Sequence, residues 1–112
     1  MELKAHKQDQ VRVISVKGSV DALTAGDLSS FAIEQLGEAP NQLVIDLGQV
    51  EFMSSAGLRA ILAILKEARQ QGGDLCVAAA PPGVQNILKI SGFTSIFAAF
   101  PSVEEAVSSY SG

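Results

Sequence analysis

The chain has 112 residues, of which 47% are hydrophobic and 18% charged, and a formal net charge of −4. That length suits one domain, residues 1–112, with a sizeable core, and that composition excludes intrinsic disorder. Its eight Lys and Arg residues are scattered singly, which excludes a dedicated nucleic-acid surface.

Cys76 is the only cysteine, so an internal disulfide and a cysteine-based zinc site are both excluded. It lies in the apolar run LCVAA (75–79) and reads as a buried core thiol. The N-terminal stretch MELKAHKQDQ is polar and lacks the apolar segment of a signal peptide. No apolar run approaches the roughly 20 residues that cross a membrane. A cytoplasmic protein without membrane insertion is the expectation.

In chain order, VRVISV (11–16) is β-branched and strand-like, and residues 2–7 can pair with it as a hairpin. GSVD (18–21) reads as a turn. Thr24 is placed to cap a helix in which Leu28, Phe31, Ala32 and Leu36 recur at helical spacing, and Gly37 can close it. LVIDL (43–47) is a short, nearly continuous apolar run, as in a strand covered on both faces. Leu58, Ile61, Leu62 and Leu65 mark a second helix, with Arg59, Lys66, Glu67 and Gln70 on or near its wet side and Gly72-Gly73 at its end. LCVAA is a further strand, stopped by Pro81-Pro82. A third helix runs from about Gly83 to Ile90 with Val84, Ile87 and Leu88 inward, and SIFAA (95–99) reads as a last strand. Ser102 with Glu105 forms a capping box for a final helix carrying Val103, Ala106, Val107 and Tyr110. The order β-β-α-β-α-β-α-β-α predicts an α/β fold: a mixed sheet of four to five strands, an opening hairpin then parallel crossovers, with about four helices packed mainly on one side.

The stretch FMSSAGLRAIL (52–62) carries the functional question. Ser54 or Ser55 can cap the helix by accepting a bond from an N–H two or three residues on, and Gly57 suits a tight first turn. A second reading leaves one serine free at the carboxyl end of a central strand, where open α/β sheets place their sites. A phosphate added there would meet unpaired N–H groups and the favourable end of the helix dipole.

Catalytic readings fare poorly. A nucleophile elbow needs G-x-S-x-G, and here the first glycine is missing; a Ser–His pair would have to use His6, the single histidine, which reads as a solvated hairpin residue. Neither phosphate-binding glycine motif occurs. Asp46 ends a central strand, but a phosphoryl-accepting receiver begins β-α and needs an acidic pair after its first strand; Asp46 reads instead as ordering the following loop. Asp21 has the same reading in its turn, and no metal site or cofactor is expected from either carboxylate. The chain is therefore not expected to be an enzyme.

Three segments together resemble the STAS domain, specifically the stand-alone anti-sigma factor antagonists: GSVDALTA (18–25), LVIDLGQVEFMSSAGLRAIL (43–62) and SIFAAFPSVEEAV (95–107). The second, a strand with an aspartate, a loop, then Met-x-Ser-x-Gly-Leu at a helix start, is the specific one. In these antagonists the common pattern is Asp-Ser-Ser-Gly-Leu, whose first serine is phosphorylated by a partner kinase. Here Ser54 stands for the aspartate, Ser55 for the phosphorylated serine and Ala56 for the second serine, while Gly57 matches. The resemblance thus implies phosphorylation of Ser55, with Ser54 the alternative acceptor and otherwise the cap. It implies a partner-binding surface of Asp21, Thr24, Ser54, Ser55, Ala56, Gly57 and Arg59. It also implies a partner-switching cycle: the unmodified protein binds an anti-sigma factor that is also a serine protein kinase, the bound client is released, phosphorylation breaks the complex, and a PP2C-type phosphatase resets it. The rival reading is a non-phosphorylated STAS scaffold or adaptor in a larger signalling or lipid-transport assembly; the 112-residue length favours the antagonist over a transporter tail.

Overall fold

The sheet of this protein starts from a hairpin that has no glycine in its turn. In the computed structural model, which describes residues 1–111, β1 (Glu2–Gln8) pairs antiparallel with β2 (Val11–Val20), Gln8 opposite Val11 and Glu2 opposite Lys17. Asp9 and Gln10 between them both have positive φ, 55° and 39°, the sign that a two-residue type I′ loop requires. The sequence signal for this turn is weak because an Asp-Gln pair does the work usually given to Asn-Gly.

The remaining strands follow in parallel, giving one five-stranded sheet in chain order: β3 (Gln42–Met53), β4 (Asp74–Ala78) and β5 (Ala99–Phe100). The crossovers carry α1 (Ala25–Gln35), α2 (Ser55–Gln70) and α3 (Pro82–Ile90), and α4 (Val103–Ser109) ends the described chain. The α/β fold class, the opening hairpin and the parallel crossovers are as the sequence predicts.

Strand alternation divides the core in two. Ile14 and Val16 of β2, Leu43, Ile45 and Leu47 of β3, and Leu75 and Val77 of β4 point to the face covered by α1, α2 and α3. The amphipathic stripe of α2, Leu58, Ile61, Ile64, Leu65 and Ala68, lies at helical spacing against them. Val11, Val13, Val44, Cys76 and Ala78 point the other way, under Ala106 and Val107 of α4. Three helices therefore share one face, and α4 alone covers part of the second. Its Tyr110 hydroxyl donates to the Leu43 carbonyl oxygen at 2.9 Å, and Cys76 is buried beneath.

Several boundaries differ from expectation. GSVD is not a turn: β2 continues through Gly18 to Val20, and the chain turns at 21–24. The strand expected at LVIDL runs on to Met53. It absorbs polar residues by bulging, since Ser15 to Lys17 is two steps on β2 but their partners Asp46 and Gln49 are three apart, and Gly18 to Ser19 is one step against two from Val50 to Phe52. Asp46 still orders the backbone, accepting from the Gly48 N–H at 2.9 Å, but inside the strand rather than in a loop. The SIFAA stretch is not the strand: Phe93–Ser95 forms a 3₁₀ turn, Phe97 is buried in the core, and β5 is only Ala99–Phe100. At α4 only half of the capping box is present, Ser102 Oγ accepting from the Glu105 N–H at 3.2 Å.

Candidate functional site

The bulged pairing sets where the site lies. β4 accompanies β3 only as far as Asp46 opposite Ala78, so the last residues of β3 overhang β4 and pair with β2 alone, ending at Val20 opposite Met53. Ser54 follows directly, and its N–H donates to the Val20 carbonyl oxygen at 2.9 Å. That bond fastens the start of α2 to the end of β2. The carboxyl ends of two central strands and the N-termini of α1 and α2 thus meet on one rim, the position where α/β sheets carry their sites.

Ser54 has extended backbone (φ −91°, ψ 174°) and its hydroxyl oxygen accepts from the Gly57 N–H at 3.4 Å, a long bond. It is the cap. Ser55 is the first helical residue and is exposed; among the described residues no protein group bonds its hydroxyl. The two serines thus take separate positions, one inside the cap and one facing outward. Ala56 is half-buried. Gly57 is buried, and a Cβ placed on it would sit 2.9 Å from Val20 Cγ1 and 3.1 Å from the Val20 carbonyl oxygen, so only hydrogen fits. Gly57 therefore shapes the rim from below. Arg59, one turn after Ser55, is exposed and makes no ion pair among the described residues.

Asp21 and Thr24 lie on the same rim, in the turn from β2 to α1, and their polar atoms are engaged within the chain. Asp21 Oδ1 accepts from the N–H of Leu23 at 2.9 Å and of Thr24 at 3.3 Å. The Thr24 hydroxyl donates to the Ser19 carbonyl oxygen at 2.9 Å and accepts from the Asp21 N–H at 3.0 Å. Thr24 is at the N-cap position of α1, but its side chain makes no capping bond there, contrary to expectation. The hydroxyl is directed back at β2, and the Asp21 carboxylate bonds the turn N–H groups in its place.

Two apolar side chains that the sequence reading passes over stand out on this rim. Leu23 is 90% exposed and Phe52 is 52% exposed. Neither carries a sequence signal, because exposure depends on which faces the tertiary fold leaves uncovered; Phe52 is opposite Ser19, in the end of β3 that β4 does not accompany.

The rim offers the exposed Ser55 hydroxyl, helix N–H groups, the Arg59 guanidinium and the Asp21 carboxylate, whose Oδ1 is taken up by the N–H groups of its own turn. His6 lies away on β1, exposed, within 3.3 Å of Gln8 Oε1. Among the described residues no group of three or more His, Cys, Asp or Glu side chains could hold a metal ion, and no helix is long and apolar enough to cross a membrane. Burial raises the pKa of the Cys76 thiol and of the Tyr110 hydroxyl, and both belong to the face that α4 covers, Cys76 beneath α4 and Tyr110 at its C-terminal end.

The chain is similar to known proteins along nearly its whole length. The STAS domain profile matches residues 2–106. The chain is 34% identical over 110 residues to BtrV, a candidate anti-sigma factor antagonist of Bordetella bronchiseptica, covering 98% of this chain and 95% of that one. It is 32% identical over 102 residues to the anti-sigma-F factor antagonist RsfB of Mycobacterium tuberculosis, covering 91% and 83%. The crystal structure of an anti-sigma factor antagonist from Mycobacterium paratuberculosis superposes with a TM-score of 0.87 at 29% identity, covering 96% of this chain and 92% of that one. With its five-stranded mixed sheet, its serine-bearing α2 N-terminus and a family match along nearly its whole length, the chain belongs to the STAS domain family.

Proposed function

We propose that the protein is an anti-sigma factor antagonist working by partner switching, with Ser55 as its switch. The observation that carries this reading is the division of labour at the head of α2: Ser54 caps, and Ser55 presents an exposed hydroxyl with no bonding partner among the described residues. Similarity to antagonists over nearly the full chain supports an anti-sigma factor as partner. In this cycle the unmodified rim, including Asp21, Thr24, Ser54, Ser55, Ala56 and Arg59 at or near the surface and Gly57 beneath it, docks on an anti-sigma factor that is also a serine kinase, and the client is released. Phosphate on Ser55 breaks the complex, and a PP2C-type phosphatase restores it. ATP and metal ions belong to those partners.

The magnitudes are adequate. A phosphoserine brings about −1.5 to −2 units of charge at neutral pH. Enclosing that charge in an interface fitted to a neutral hydroxyl adds bulk and desolvation cost. Each ~1.4 kcal/mol lost is tenfold in affinity, so a cost of about 3 kcal/mol weakens binding more than a hundredfold. The fold tolerates the same charge, because the first N–H groups of α2 and its dipole favour an anion there.

The test is tandem mass spectrometry after incubation with the purified anti-sigma factor kinase and ATP, on wild type, Ser54→Ala and Ser55→Ala. One added phosphate that disappears only in Ser55→Ala is the expected result. Loss only in Ser54→Ala moves the switch to its neighbour. No phosphate from a kinase that hydrolyses ATP and binds this protein refutes the switch and favours a non-phosphorylated adaptor.

A further inference from the structure

Leu23 is the most exposed of the large apolar side chains, at 90%, yet its backbone is one of the better-held stretches of the rim. Its N–H is bonded to Asp21 Oδ1 at 2.9 Å. The next residue, Thr24, is tied through its N–H to Asp21 and through its hydroxyl to the Ser19 carbonyl oxygen at 2.9 Å. A loop that merely connected β2 to α1 would need neither a leucine at its tip nor this much bonding to hold it there. Phe52, half exposed, is two residues before Ser54, and Leu23 is three residues after Val20, the residue to which the Ser54 N–H is bonded. The two apolar residues therefore lie close in the chain to the β2 and β3 ends that meet at the start of α2.

We propose that Leu23 and Phe52 are the apolar anchors by which the unmodified protein grips its anti-sigma factor, and that Asp21 is a positioning residue that holds Leu23 out rather than a contact in its own right. The proposal rests on the partner reading above and adds to it which side chains supply affinity and which supply geometry. The occupant is the anti-sigma factor, presenting an apolar recess bordered mainly by cationic groups. Exposed carboxylates near the anchors in the chain set that charge, Asp27 in the first turn of α1 and Glu51 next to Phe52, while the exposed Arg59 of the same rim calls for an acidic group opposite it. A leucine already held in place loses little freedom on docking, so most of its burial appears as affinity. A charge on Ser55, on the same rim as the anchors, would then be drawn into an interface that must close around apolar groups.

The experiment is calorimetric titration of the purified anti-sigma factor kinase of the same organism, without nucleotide, into the unmodified protein and its variants, with amide hydrogen exchange on each. Leu23→Ser should weaken binding by about tenfold to a hundredfold, and Phe52→Ser by about tenfold, with the fold intact because both side chains are exposed. Asp21→Ala should weaken binding to a similar degree and speed exchange at the Leu23 and Thr24 amides. Asp21→Asn keeps an oxygen for those two N–H groups, so it should retain both protection and affinity within about threefold, an energy difference smaller than that of one neutral hydrogen bond. Wild-type affinity in Leu23→Ser overturns the anchor. Loss of binding in Asp21→Asn with the turn still protected overturns the positioning role and makes the carboxylate a contact. Failure of the wild-type protein itself to bind, seen before any substitution, defeats the partner reading and the docking proposal with it.

Discussion

Gly57 and Val20 touch so closely that a single methyl group would not fit between them: a Cβ on Gly57 would stand 2.9 Å from Val20 Cγ1 and 3.0 Å from Met53 Cγ. This contact lets α2 start flush against the end of β2, and so fixes the height of Ser55 above the rim. Gly57→Ala gains up to about 1 kcal/mol of helix propensity but must displace Val20 and Met53, and overpacking costs about 1–3 kcal/mol. A net loss of about 1 kcal/mol is expected, read as a lower urea midpoint with an unchanged slope. A raised midpoint would mean that the rim yields freely and that Gly57 does not set it.

Ser54→Ala removes the cap of α2 and leaves the Ser55 hydroxyl where it is. Cap substitutions cost about 0.5–2 kcal/mol, and the 3.4 Å bond here puts the loss at the low end, about 0.5–1 kcal/mol. The variant should still accept phosphate, at a rate reduced less than about threefold. A stability loss accompanied by complete loss of phosphorylation would place the acceptor at Ser54.

Phosphorylation should act locally. The helix N-terminus accommodates the added charge, so phosphoserine introduced at position 55 should move the backbone amide signals of residues 20–25 and 52–60 and leave those of β1 and β4 within line width. Widespread loss of ordered sheet signals would show instead that the phosphate works by unfolding the site.

What the sequence could show of all this depended on whether a signal was local. The periodicity of Leu58, Ile61 and Leu65 located α2, and the Ser54-Ser55 pair marked its capped start, because helix spacing and caps are short-range properties. β3 was harder: its continuation through Asp46, Gly48, Gln49 and Glu51 rests on two bulges against β2, and no strand propensity announces a bulge. SIFAA misled for the opposite reason. Its apolar residues serve core packing, with Phe97 5% exposed and its ring 5.8 Å from that of Phe93, while the ladder itself is made by Ala99 and Phe100. Thr24 had the composition of a cap, but its hydroxyl went to Ser19, a partner that only the folded β2 brings near. The exposure of Leu23 was invisible for a similar reason, since an apolar residue in a sequence gives no sign of which face will stay uncovered.

Arg59 is exposed, unpaired among the described residues, and one helical turn from Ser55. Its charge should help steer an acidic part of the partner rather than support the fold. Arg59→Ala should therefore leave the unfolding midpoint unchanged within error. It should slow association with the anti-sigma factor by about threefold to tenfold at low salt, with little effect on dissociation. An effect confined to dissociation and insensitive to salt would make Arg59 a buried hydrogen-bonding contact.

The back face offers a test of stability independent of the rim. Tyr110 anchors α4 through its 2.9 Å bond to the Leu43 carbonyl oxygen, and burial holds its hydroxyl protonated well above the ordinary value of 10.0, as it does the Cys76 thiol above 9.0. Both are acids whose pKa is raised by folding. Their contribution is therefore complete below the unfolded values and is lost as pH climbs past them toward the folded ones, because the unfolded chain can release protons that the folded chain retains. Wild-type stability should be flat in this respect through neutral pH and begin to fall above about pH 9 to 10. Tyr110→Phe deletes the bond to the Leu43 carbonyl oxygen, which keeps the Cys76 thiol as a donor, and should cost about 1 kcal/mol at pH 7. It also deletes one of the two titrations. The gap between variant and wild type should consequently narrow as pH rises beyond 10, and Cys76 should react faster with a thiol reagent as α4 loosens. Parallel curves for the two proteins across that range would show that Tyr110 ionises as freely in the folded protein as in the unfolded chain.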